Sequence, residues 1–405
     1  MIKVEDALKI VLKGIKILDS EVIKLTDALE RVLAEDVYSN SDIPAFDNSA
    51  MDGYALRSSD TCGATRNKPK ILEVIEDIKA GDIPKKRLKS NQAARIMTGA
   101  PIPRGADSVV MVEETKKIRN RGKEFVEVYK ETKPQENIRK AGEDIKKGEL
   151  VIPKGTLLKS GYIGILASLG KTQVKVIRRP KVAVLATGDE VVDVDEKLEP
   201  GKVRSSNSYT LYSQIIKCGC IPKNLGIARD KPKQLEKKIK QGLDCDLIIT
   251  SGGVSVGDYD LVKDILAKMG TNIRFWKVAM RPGKPLAFGT IKDKLVFGLP
   301  GNPVSSMVSF EVFVRPVILK MLGQKEDERK EVEAVLGQDL KKKKGFRYFL
   351  RANTRWQQGK YVTKTTGPQG SGILKSMGLA NSLIILPEDK EFIKKGKKVT
   401  VRFLD

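Results

Sequence analysis

The chain has 405 residues, 40% of them hydrophobic and 31% charged, the composition of an ordinary globular protein long enough for about two to four domains. Lys and Arg number 75 against 51 Asp and Glu, a formal charge of +24 that predicts a general attraction for anions. There is no histidine, which excludes a Ser-His-Asp triad, the zincin motifs and the commonest general base.

The first segment, MIKVEDALKIVLKGI, sets Val4, Ala7, Leu8, Val11, Leu12 and Ile15 at helical spacing. Its mixed acids and bases predict a helix and not a signal peptide, and no run approaches the ~18 apolar residues of a membrane span. The expectation is a cytoplasmic protein with no membrane partner.

Residues 46–145 are rich in strands and turns, with KILEVIEDI, SVVMVEE and FVEVYKET as clear strand candidates. They read as a β-rich domain inserted into a leading or linker region made of 1–45 and 146–177. Within that region SGYIGILASLG predicts a helix ending at Gly170.

Residues 178–323 alternate strand and helix. KVAVLATG leads to a helix capped by Ser206 or Asn207, then a strand near 224–228, the helix KPKQLEKKIKQGL and the strand DLIIT. A helix over 260–269, the strands PLAFGT and KLVFGLP, and the helix PVSSMVSFEVFVRPVILKML complete it. The alternation predicts a mostly parallel α/β sheet domain. Residues 324–405 turn to short strands alone, a separate β-barrel-like domain. The fold class is therefore multidomain α/β. Cys62, Cys218, Cys220 and Cys245 have no zinc spacing and read as structural thiols.

In an open parallel sheet, ligands bind outside the carboxyl ends of the strands. Four loops fall there: TGDEVV, Arg229-Asp230, SGGVSVGDYD at 251–260 and LPGNPVSS at 299–306. Gly253, Ser255 and Gly257 match a hydrolase nucleophile elbow, but Ser255 has no histidine to activate it. Ser251, Gly252, Gly253 and Ser255 read instead as a cradle for an oxyanion. Pro300, Gly301, Asn302 and Pro303 read as a second, with Asn302 as helix N-cap and Pro303 in the first turn.

Glu190, Asp230 and Asp260 would repel a phosphate brought to this edge, and a Mg²⁺ ion held by Glu190 and Asp260 resolves the conflict. An alternative for Asp260, as for Asp258, is complementing a helix N-terminus. Lys277, Arg281 and Lys284 crowd a proline-stiffened turn suited to a second oxyanion. In the first half, Asp52, Thr98, Arg139 and Asp144 lie in polar clusters that by themselves read as turns.

These segments, from IPAFDNSAMDGYAL through RIMTGAPIPRGADSVVMVEE, NIRKAGEDIKKGE, VLATGDEV, GKVRSSNSYTL, DLIITSGGVSVGDYD and FWKVAMRPGKPLAFG to VFGLPGNPVSSMVSFEVFV, span nearly the whole chain. In this order they resemble the molybdopterin molybdenumtransferase family, homologous to the E domain of gephyrin. The resemblance implies that adenylylated molybdopterin and molybdate are substrates, that AMP is released with Mg²⁺ dependence, and that the molybdenum cofactor is formed.

It also implies an elongated homodimer, joined through the leading domain, with each site shared between two chains. Partners would include a molybdopterin-adenylylating enzyme and apo-molybdoenzymes. Family functional positions carry over at Asp52, Thr98, Asp144, Glu190, Asp230, Asp260, Lys277, Lys284, Pro300, Pro303 and Ser371. Arg281 stands where many relatives have lysine, and Arg351 matches more loosely. Arg281, Lys284, Arg351 and Ser371 would hold molybdate, and Arg139 would join the substrate-binding set.

Two rivals stay open from sequence, adenylylation of molybdopterin by the sheet domain alone and a cofactor-binding scaffold. The insertion argues against the first, the complete carboxylate set against the second. The choice between molybdate and tungstate is also open. Nucleic acid is not predicted, because the basic residues form no stripe and aromatics make up only 5%.

Overall fold

A computed structural model describes residues 1–253, 261–324, 329 and 331–404, with the side chains of Leu261 and Lys263 left aside. Ser255, Asp258 and Asp260 lie outside the described residues. The chain divides into two compact units, one of 1–34, 155–159 and 173–405, the other of 35–154 and 160–172.

The larger unit is built on a six-stranded sheet. Its order is Ile221–Ala228, Lys181–Thr187, Leu247–Ser251, Lys294–Leu299, Pro285–Ile291 and Asn272–Lys277. The first three pairings are parallel and the last two antiparallel. Alternation along the central strands separates two cores. Val182, Val184, Leu247, Ile249 and Phe297 face one side, where Leu211 and Ile215 of helix Ser206–Lys217 and Val304 and Val308 of helix Pro303–Ser309 cover them. Ala183, Leu185, Ile248 and Val296 face the other, covered by Leu235 and Ile239 of Pro232–Gly242 and Val262 and Ile265 of Leu261–Lys268. With both faces covered, the central strands read as continuous apolar runs, as the sequence shows.

Three local details depart from expectation. Helix Ser206–Lys217 has Ser205 at its N-cap, with the Ser205 hydroxyl 2.7 Å from that of Ser208. Asn207 therefore stands inside the first turn, where it is free to reach across the sheet edge. The long helix after Pro303 is interrupted by a π segment, Phe310–Val314, before Arg315–Met321. Pro316 has no N–H for the Val312 carbonyl, which suits a widened turn at that place. Finally, residues 1–34 of the leading region expected over 1–45 and 146–177 pair with 173–177 of that same region but also pack with the sheet. Val4, Ala7 and Val11 of helix Val4–Leu12 enter its core, and Ser20–Lys24 pairs antiparallel with Gln173–Ile177.

The same unit ends in a closed five-stranded barrel. Arg347–Gln357 pairs with Lys360–Thr365, then follow Glu331–Leu336, Lys398–Phe403 and Ser382–Leu386, which returns to pair with Arg347–Gln357. Closure removes the edge strands. Ala334, Leu336, Ala352, Ile384 and Val401 fill its interior.

The smaller unit holds a six-stranded mixed sheet ordered Ser108–Met111, Gly53–Leu56, Gln92–Ile96, Lys70–Ile78, Lys123–Val128 and Thr115–Asn120. Its two faces bury Tyr54, Leu72 and Val126 on one side and Ala55, Ile78 and Ile96 on the other. Gly53 is required here: a Cβ would collide with the Val110 carbonyl of the neighbouring strand.

Candidate functional site

At the carboxyl end of the larger unit's sheet lies a cavity of about 600 Å³. Its walls include Thr187, Glu190, Ser205–Asn207, Ser251–Gly253, Pro285 and Pro300–Pro303. Parallel pairing of Leu247–Ser251 with both Lys181–Thr187 and Lys294–Leu299 delivers three loop starts to one edge. The sequence-predicted residues Glu190, Ser251, Gly252, Gly253, Pro300, Gly301, Asn302 and Pro303 thus meet around one space.

The two glycine loops approach closely. Gly252 has φ +99° and Gly253 φ +64°, both in the region that favours glycine. A Cβ on Gly252 would lie 2.5 Å from the Thr187 carbonyl oxygen, and one on Gly301 would be 3.7 Å from Gly252 Cα. The Gly252 N–H donates to the Leu299 carbonyl at 3.1 Å, and that of Val304 to the Ser371 carbonyl at 3.1 Å. The predicted amide cradle is therefore partly spent inside the protein. The N–H groups of Gly253, Gly301 and Asn302 make no bond to any described residue. Asn302 occupies the N-cap position, but its side chain makes no capping bond.

Asn207 is the residue that sequence reading missed. It is buried, and its Nδ2 donates to Ser251 Oγ and to the Gly301 carbonyl, both at 2.8 Å. In sequence it looked like a helix cap. The one signal was the polar run S-S-N-S opening a helix that must pack on a sheet.

Glu190 is exposed at the cavity wall. A Cβ on Gly188 (φ +136°) would fall within 2.5–2.8 Å of its carboxylate, so only glycine lets it fold back this way. The carboxylate accepts no hydrogen bond among the described residues. Asp230 is tied beside it through the loop: its Oδ2 accepts from Asp189 N at 3.3 Å, while its own N–H donates to Asp189 Oδ1 at 3.1 Å. Arg229 donates to the Asp189 and Val191 carbonyls, both at 2.8 Å, and fixes this loop. Among the described residues no three Asp, Glu, Cys or His side chains gather to hold a metal. A single free carboxylate facing a cavity nonetheless fits Mg²⁺, which takes one or two carboxylates with substrate phosphate oxygens and water.

The predicted cationic residues lie outside the cavity lining, whose cation among the described residues is Arg204. Lys277, Arg281 and Lys284 are exposed on a turn closed by the Val278 N–H donating to the Lys284 carbonyl at 3.0 Å. Arg281 stacks on Phe346, its guanidinium carbon 4.7 Å from the ring centroid, and Met280–Arg281 pairs with the barrel strand Arg347–Gln357.

Arg351, expected as a molybdate ligand, is fully buried in the barrel wall. Its Nε donates to Ser376 Oγ at 3.0 Å and one terminal nitrogen to the Gly370 carbonyl at 2.9 Å. The other terminal nitrogen is buried without a partner, and burial pushes the guanidinium pKa down to about 10. Arg351 therefore grips the loop that carries Ser371, whose carbonyl in turn meets helix Pro303–Ser309.

In the smaller unit, Asp52 and Thr98 meet. Asp52 Oδ1 accepts from the Thr98 N–H at 2.7 Å and from its hydroxyl at 2.8 Å. These two bonds, backbone first, hold the Asp52 carboxyl below the ordinary carboxylate range. Arg139 is exposed on the short strand Ile138–Arg139, which pairs with Asn48–Ser49. Asp144 is exposed on a turn whose N–H donates to the Ile43 carbonyl at 3.0 Å.

Comparison with known proteins covers nearly the whole chain. Three family models match in order: the MoeA N-terminal region (domains I and II) at residues 2–170, a "probable molybdopterin binding domain" at 183–320, and the MoeA C-terminal region (domain IV) at 333–404. A Bacillus subtilis protein named molybdopterin molybdenumtransferase is 40% identical over 99% of this chain and 93% of its own. One of the same name from Haemophilus influenzae is 38% identical over 94% of this chain and 93% of its own. The crystal structure of a molybdopterin biosynthesis MoeA protein from Pyrococcus horikoshii superposes with a TM-score of 0.84, at 32% identity and full coverage of both chains.

Proposed function

Since the chain belongs to the MoeA family, we propose that it is a molybdopterin molybdenumtransferase, an enzyme that joins molybdenum to molybdopterin in cofactor assembly. The supporting observation is the cavity itself. The described residues of two glycine loops and a carboxylate with no partner among the described residues line a space of about 600 Å³ in the region matched to a molybdopterin-binding domain.

The finer reading is that the pterin arrives adenylylated, as a dithiolene pterin joined through phosphates to AMP. The open N–H groups of Gly253, Gly301 and Asn302 would hold phosphate oxygens. The first turn of helix Ser206–Lys217, which Ser205 leaves uncapped, would add its own. Glu190 would hold Mg²⁺, with Asp260 as the expected second carboxylate, and the ion would neutralise charge on the bridging phosphates. Asp230 keeps the Glu190 loop in place through Asp189. Lys277, Arg281 and Lys284, with Ser371 on the loop gripped by Arg351, would attract and seat the tetrahedral dianion.

Asp52, Thr98, Arg139 and Asp144 complete the proposal as a second set of polar groups, brought to the site in a homodimer. No described helix is long and apolar enough to cross a membrane, and a cytoplasmic setting fits the reading. An upstream adenylylating enzyme and apo-molybdoenzymes remain the proposed partners.

The test is direct. Purified protein is mixed with adenylylated molybdopterin, Mg²⁺ and either molybdate or tungstate, and AMP and metal-bearing cofactor are followed by mass spectrometry. Oxyanion-dependent AMP release is expected. Synthesis of adenylylated pterin from ATP without an oxyanion would overturn the assignment.

A further inference from the structure

We propose that Asn207 is a positioning residue that locks the two glycine loops into one preformed cradle. The inference rests on the reading that this cavity receives the phosphate-bearing pterin. Its physical ground stands apart from that reading. The loops after Leu247–Ser251 and Lys294–Leu299 come from adjacent parallel strands, and among the described residues the one side chain of either loop that reaches the other is Ser251, whose Oγ lies 3.5 Å from the Pro300 carbonyl. Gly252 and Gly301 only touch, and one backbone bond, from the Gly252 N–H to the Leu299 carbonyl, joins the loop bases. Asn207 enters from a third element, the first turn of helix Ser206–Lys217, and spends both Nδ2 protons across the gap. One goes to Ser251 Oγ in the first loop, the other to the Gly301 carbonyl in the second.

The orientation of the carboxamide is fixed by chemistry. The Gly301 carbonyl can only accept, so the nitrogen must face it. Ser251 Oγ then accepts from Asn207 and lies 3.5 Å from the Pro300 carbonyl, continuing the link into the second loop. Asn207 is 8% exposed and Ser251 4%, so water does not compete for these bonds. Asn207 Oδ1 has no partner among the described residues, so within them the side chain is held by its donor end. Among the natural residues, a carboxamide of this length supplies two donors from one atom. Aspartate has the same shape but turns an acceptor toward the acceptor-only Gly301 carbonyl, which leaves the Ser251 hydroxyl as the one group able to donate to it.

The test compares wild type with Asn207→Ala and Asn207→Asp. Hydrogen exchange by mass spectrometry is read on peptides covering 247–253 and 299–303, and molybdopterin affinity is measured separately. Faster exchange confined to those two peptides is expected in both variants. A weakening of molybdopterin binding of about tenfold or more is expected too, larger for Asp than for Ala, since a buried bond is lost and its partners stranded. In turnover, the loss should fall on KM more than on kcat. Exchange that is unchanged, or raised evenly over the whole sheet, would overturn the clamp. So would an unaltered molybdopterin affinity in the Asp variant. If wild type binds no molybdopterin, the reading of the cavity fails, while the exchange comparison still decides whether Asn207 locks the loops.

Discussion

Replacing Gly252 by alanine is the sharpest perturbation of the cavity. The added Cβ would sit 2.5 Å from the Thr187 carbonyl oxygen and 2.9 Å from its hydroxyl. Reaching ordinary contact at 3.4 Å requires a retreat of about 0.9 Å by one loop or the other. Thr187 ends a central strand whose neighbours flank it on both sides, so the Gly252 loop must give way. Overpacking of this kind costs roughly 1–3 kcal/mol, and a non-glycine residue held at such a φ costs about as much again. Together these reach roughly 2–6 kcal/mol, which lowers Tm by something of the order of ten degrees.

A shift near 1 Å in a loop that positions substrate costs about a hundredfold in rate. Gly301→Ala is the internal control, since its Cβ meets only Gly252 Cα at 3.7 Å. Calorimetry and AMP release on both variants decide the matter. A Gly252→Ala protein as stable and as active as Gly301→Ala would refute the steric argument and the placement of this loop beside the substrate.

Three further outcomes are expected. Glu190→Gln should keep the wild-type Tm within about 2 °C, because an exposed side chain with no partner among the described residues contributes little to stability; its turnover should fall about a hundredfold or more, with altered Mg²⁺ dependence in a metal titration. Arg351→Met should change stability little, because removing a buried, unpaired charge offsets the lost bonds to Ser376 and the Gly370 carbonyl; oxyanion-dependent turnover should nonetheless drop as the Ser371 loop loosens. Asp52 has its pKa lowered by Thr98, so the stability this contact adds is complete above the unfolded value of about 3.8 and is lost as pH falls through the lower folded value; acid unfolding of Asp52→Asn should lack that component.

The sheet of the larger unit was legible because its chemistry is local. The runs KVAVLAT and LIIT can be buried on both faces only as central strands, and Gly-rich loops at their carboxyl ends follow from the topology. A barrel-like domain was expected from the succession of short strands, but which strands close it, Arg347–Gln357 with Ser382–Leu386, is a long-range pairing that no local pattern encodes.

Site residues divide along the same line. Glu190 and the two glycine loops were singled out by a loop's place at a strand end, and their described residues line one cavity. Asn207 was not, because its role depends on two acceptors 44 and 94 residues away in sequence. Arg351 was placed among the oxyanion ligands by its loose match to the family's positions, whereas its side chain is fully buried and donates to the Gly370 carbonyl.

Both cases have one physical cause. Buried polar side chains must satisfy their donors wherever the fold offers acceptors, so their roles are set by tertiary neighbours. An exposed carboxylate such as Glu190 has no such demand placed on it by the fold, so the role proposed for it could be argued from position alone. In this chain the residues proposed to meet substrate were therefore the legible ones, and those proposed to hold them in place were hidden until the fold was known.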